Sequence, residues 1–137
     1  MISLEYYTKD SFQKYMDELS ERQEKESPII YFDDEQIKKL KKCDCAVILT
    51  FRGKIEEFKR HLKLVNFFEF TQRCIGEIGI VIEHTAVSAA LSDSVKIEEI
   101  IVDIMPIDWN YTVGLFCDDD ADMKVNLMIP MYRCVEI

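Results

Sequence analysis

Seven consecutive uncharged residues, CAVILTF, separate Asp44 from Arg52. Their short span and β-branched content predict a strand buried from water. Gly53 follows and ends the run.

TKDSFQKYMDELSERQEKES places Phe12, Tyr15, Met16 and Leu19 at the i, i+3, i+4, i+7 spacing of an amphipathic helix. Thr8 or Asp10 can cap its start, and Pro28 lies just past its end. PIIYF reads as a short strand. DDEQIKKLKKC reads as a short helix, with acids in the first turn and lysines in the last, both suited to the helix dipole. A second long helix is expected from Lys54 to about Arg73. Ile55, Phe58, Leu62 and Val65 mark its face, and Glu56 can pair with Arg60. Phe67, Phe68 and Phe70 widen that stripe.

The texture changes after Gly76. GEIGIVIE reads as a strand, and HTAVSAALSDS fits either a short helix or a loop. KIEEIIVDIMPI is read as a strand for its β-branched centre, although Ile97, Ile100, Ile101 and Ile104 also fit a helical period. NYTVGLFC and KVNLMIPMYRCVEI are strands; Val125, Leu127 and Ile129 alternate with Asn126 and Met128. DDDADM then joins neighbouring strands as a hairpin loop. Residues 1–137 are expected to form one α+β globular domain. The helices of the N-terminal half should pack on one face of a mostly antiparallel sheet formed largely by the C-terminal half.

An apolar content of 48% supports one packed core, and only 4 glycines and 3 prolines leave little room for flexible linkers. MISLEYYTKD lacks the basic-then-apolar pattern of a secretory leader, and no apolar run approaches the ~20 residues of a membrane helix. A cytoplasmic location is therefore expected. The five cysteines (Cys43, Cys45, Cys74, Cys117 and Cys134) are odd in number and mostly flanked by apolar strand-like residues, which fits small buried thiols.

Charge is unevenly distributed. Residues 74–137 carry three basic and twelve acidic side chains, an excess equal to the −9 of the whole chain. Such a field repels phosphate backbones and anionic lipid and attracts cations. Nucleic acid and membrane are therefore not expected as partners.

Four aspartates, Asp118, Asp119, Asp120 and Asp122, fall within five positions. Turn chemistry uses one or two of them. The D-x-D-x-D start resembles an EF-hand loop, but Met123 stands where glycine permits the sharp turn and Ile129 where a bidentate glutamate closes the cage. Cys43 and Cys45, with one residue between them, lack zinc spacing and a second ligand pair; on a strand the two thiols would point the same way. No metal or other cofactor is expected. His84, Thr85, Ser88 and Asp93 are close in sequence without forming a nucleophile motif, and nothing selects a Cys74–His84 pair. Glu83, Asp103 and Asp108 could form an acidic active site on adjacent strands, but a nuclease site of that kind also needs a nearby lysine and a route for the polyanion, and the net charge argues against the latter. The chain is read as a non-enzyme.

Asp108, Trp109 and Tyr111 lie shortly before the aspartate cluster. Tryptophan and tyrosine anchor interfaces, and adjacent carboxylates steer a basic partner. Together with Asp118, Asp119, Asp120 and Asp122 they form the expected partner-binding set. The function expected is stoichiometric inhibition of a basic protein, as by a bacterial immunity protein that occludes a toxin such as a nuclease. A small enzyme or an adaptor subunit is the alternative.

Overall fold

The computed structural model describes residues 2–67, 74–75, 77–85, 87–105, 110–117 and 123–132. The elements are β1 (Ile2–Thr8), α1 (Lys9–Glu26), α2 (Asp34–Lys41), β2 (Cys45–Gly53), α3 (Ile55–Leu62), β3 (Cys74–Ile75), β4 (Ile78–His84), α4 (Val87–Ile104), β5 (Tyr111–Cys117) and β6 (Met123–Tyr132). The sheet runs β1-β2-β6-β4-β5, with β3 paired to the end of β6. Every pairing is antiparallel except β4 with β5. The class is α+β.

CAVILTF is β2, and its burial on both faces explains its unbroken apolar character. Ala46 and Ile48 join Phe12, Met16, Leu19, Ile37 and Leu40, so α1 and α2 cover one face. Val47, Leu49 and Phe51 join Phe58, Leu62, Ile97 and Ile101, so α3 and α4 cover the other. Thr8 caps α1 by accepting from Ser11 N–H at 3.2 Å. Asp33 and Gln36 form a capping box at the start of α2.

Three expectations are corrected. Residues 96–104 belong to α4 and not to a strand. Ile97 and Ile101, one helical turn apart, are buried against the sheet, and that burial outweighs the β preference of their side chains. The helix begun at Ile55 ends at Leu62, where turns carry the chain to Phe67; the remainder of the expected long helix lies outside the described residues. The strands flanking the aspartate cluster are not neighbours, because β4 lies between β5 and β6. β1 was not foreseen: Ile2, Leu4 and Tyr6 alternate with Ser3 and Glu5, but the segment is short, sits at the start of the chain and is mostly exposed at the sheet edge, so it carries no buried apolar stripe.

β4, α4 and β5 form a parallel crossover unit with β5 at the sheet edge. Phe32 is buried beneath this edge, and its ring occupies the space a side chain at Gly114 would need; a Cβ there would meet Phe32 Cε2 at 2.6 Å.

Candidate functional site

The helical period of α4 divides it into two stripes. Ala90, Ser94, Ile97 and Ile101 are buried against the sheet. Leu91, Val95 and Val102 are at least half exposed, and Glu98, Glu99 and Asp103 lie among them. Val95, Glu98, Glu99, Val102 and Asp103 follow the i, i+3, i+4, i+7, i+8 spacing of a single helix face.

Tyr111, at the start of β5, is 37% exposed and closes this face into a groove of about 490 Å³. Its lining comprises Val95, Glu98, Glu99, Val102, Asp103 and Tyr111. The Tyr111 hydroxyl faces the Glu98 carboxylate, where it can donate a hydrogen bond to it. Partial burial raises the Glu98 pKa, partly opposed by that hydrogen bond. Burial also raises the Tyr111 pKa, and the charge of Glu98 and their hydrogen bond add to it. A cation entering the groove would meet carboxylates beside exposed apolar surface, the combination found in a steered, anchored protein contact.

Of the sequence-derived set, Tyr111 is in this groove. Asp108, Trp109, Asp118, Asp119, Asp120 and Asp122 lie outside the described residues. Glu98, Glu99, Val95 and Val102 were missed, and Asp103 was considered only for an acidic active site. Their shared face is legible once 87–104 is read as a helix, and the strand assignment hid it.

The acidic active site considered from sequence does not assemble. Glu83 is on β4, on the α1 side of the sheet, where it accepts from Arg22 Nη2 at 2.6 Å and lies 3.5 Å from Lys124 Nζ. Asp103 is on α4, which packs on the opposite face. Cys43 and Cys45 also diverge: Cys43 belongs to the α1–α2 core, whereas Cys45 packs against the other one. Burial pushes the Cys43 thiol up to about 11, helped by Cys45 and Asp44. Among the described residues, no group of three or more metal-ligating side chains forms a metal site.

His84 and Asp93 do meet. His84 Nε2 is 2.7 Å from Asp93 Oδ2, and His84 is only 8% exposed. Cys117 is its register partner on the parallel strand β5 and has a half-buried free thiol. The side chains of Cys74 and Ser88 lie outside the described residues.

Among the described residues no helix is long and apolar enough to cross a membrane. Comparison with protein-family models, curated proteins and solved structures gives no match to this chain.

Proposed function

We propose that this chain is a stoichiometric inhibitor that binds a basic protein, in the manner of a bacterial immunity protein that covers the substrate cleft of a toxin such as a nuclease. One observation supports this reading: Val95, Val102 and Tyr111 expose apolar surface in a groove whose other lining residues, among those described, are Glu98, Glu99 and Asp103, none of them basic. Exposed apolar surface supplies anchoring, and the carboxylates supply steering and register. Asp108 and Trp109 precede β5 in the chain and Asp118–Asp122 follow it, so the remaining members of the expected set flank the strand that carries Tyr111. Cytoplasmic location belongs to the same proposal.

The test is capture from native lysate on the immobilised chain, eluted with rising salt. The expected result is a basic protein retained in equimolar amount, released as salt screens the carboxylates. Its toxicity on expression should be suppressed by this chain. Glu98→Gln/Glu99→Gln/Asp103→Asn should weaken retention at least about tenfold. Retention unchanged by this triple variant and by Asp118→Lys/Asp120→Lys would refute the reading.

The His84–Asp93 hydrogen bond beside Cys117 favours a second reading, a small enzyme with Cys117 as nucleophile. It requires His84 to activate the thiol. Under that reading Asp93→Asn slows alkylation of Cys117 by iodoacetamide at neutral pH; an unchanged rate refutes it.

A further inference from the structure

Backbone groups on β5 point alternately to its two sides. Asn110, just before it, faces β4, its carbonyl accepting from Ile78 N–H at 2.8 Å. Thr112, Gly114 and Phe116 share that direction, so Tyr111, Val113 and Leu115 direct their N–H and C=O groups to the open edge. At Leu115 these groups are satisfied. Its carbonyl accepts from Ile29 and Ile30 N–H at 2.8 and 3.2 Å, and its N–H donates to the Ile30 carbonyl at 2.7 Å.

The Ile30 bridge stops after one residue, and Gln23 is the reason. Its Oε1 accepts from Phe32 N–H at 2.7 Å and its Nε2 donates to the Phe32 carbonyl at 3.2 Å. Phe32 would be the next residue to pair with β5, but its backbone is held by α1 and its ring is directed under Gly114. The outward N–H and C=O of Tyr111 and Val113 are consequently left with no partner among the described residues.

This open stretch begins at Tyr111, which lines the acidic groove. Tyr111 and Val113 project on the α4 side of the sheet, where Val113 packs on the same core as Ile97 and Ile101. A strand laid on this edge would place alternate side chains beside Glu98, Glu99 and Asp103. A second copy of the chain would bring the same three carboxylates together, and like charges oppose that pairing. An extended segment carrying lysine or arginine at alternate positions meets complementary charge.

We propose that the edge of β5 is completed by an extended basic segment of the partner, bonded through its main chain to Tyr111 and Val113 and through its cationic side chains to Glu98, Glu99 and Asp103. This rests on the reading of the chain as a binder of a basic protein and specifies how that partner docks.

A synthetic peptide of alternating lysine and valine, with a glutamate–valine counterpart as control, tests it on the full chain. Amide hydrogen exchange at Tyr111 and Val113 should slow with the basic peptide and not with the acidic one. Val113→Pro removes an outward N–H without touching the β4 ladder, a position where an edge strand tolerates proline. This variant should weaken peptide binding about tenfold. Binding that leaves both amides unprotected, binding unaffected by Val113→Pro, or no binding of the basic peptide each overturns strand addition. The first two, if accompanied by loss of binding in Glu98→Gln/Asp103→Asn, leave the reading of a basic partner standing. A concentration-dependent dimer dissolved by Val113→Pro would assign the edge to a second copy and also overturn the proposal.

Discussion

Arg22 and Glu83, 61 positions apart in the chain, are joined by a hydrogen bond of 2.6 Å from Arg22 Nη2 to Glu83 Oε1. The same guanidinium lies 4.1 Å from the centroid of the Phe116 ring and also pairs with Glu26. Lys124 approaches the other oxygen of Glu83. This contact fastens α1 to β4, and both partners are largely withdrawn from water. Glu83→Ala leaves Arg22 and Lys124 without their shared carboxylate and should cost roughly 2 kcal/mol, measured by urea denaturation. In a double-mutant cycle with Arg22→Ala the two losses should not add.

Ile101 and Val102 are adjacent in sequence, yet Ile101 is 1% exposed and Val102 50%. Ile101→Ala opens a cavity against the sheet and should cost about 3 kcal/mol. Val102→Ala should stay within about 0.5 kcal/mol, because its side chain faces solvent. Thermal unfolding of both variants checks the orientation of α4. The small stability effect of Val102→Ala should accompany a clear loss of partner binding, since Val102 lines the groove.

Gly114 and Phe32 interlock at the edge of the sheet. A methyl group at 114 meets a ring that is only 2% exposed and has nowhere to go, so Gly114→Ala should destabilise the fold by about 2 kcal/mol. Phe32→Leu costs stability by itself, but in the Gly114→Ala background it also relieves the clash. The double variant should therefore be more stable than the two single effects predict when added.

The Cys43 thiol is raised by burial from 9.0 to about 11. At neutral pH it is protonated in both the folded and the unfolded chain and contributes no pH dependence. Above pH 9.0 the unfolded thiol ionises while the folded one stays protonated, so stability should fall from about pH 9 to about pH 11. The difference between the pH–stability curves of the natural chain and Cys43→Ala isolates this contribution. Under native conditions Cys117 and Cys45 should be alkylated before Cys43, as peptide mass mapping can show.

Glu98 has its pKa raised by burial, so at neutral pH the folded chain holds its charge at a cost. A raised carboxyl pKa means stability present below the unfolded value and lost as pH rises through the folded one. Glu98→Gln should accordingly be slightly more stable than the natural chain at neutral pH, and the difference should vanish in acid. The effect is small because much of the carboxyl group is screened by solvent. The same variant should bind a basic partner more weakly, so that stability and binding move in opposite directions.

What the sequence determined by itself was whatever depends on neighbours along the chain. The stripe of Phe12, Met16 and Leu19 announced α1, the acids and lysines at opposite ends of DDEQIKKLKKC announced α2, and the uncharged run of β2 announced a buried strand. The class and the acidic character of residues 74–137 followed from the same local information. Tertiary structure decided the rest, because burial depends on partners distant in the chain. The isoleucines of residues 97–104 are compatible with a strand or a helix, and contact with the sheet selected the helix. Only that choice put Glu98, Glu99 and Asp103 on one face with Val95 and Val102. Strand order was equally illegible: hydrogen bonding inserted β4 between β5 and β6 and left β5 at the edge, where Tyr111 meets the groove.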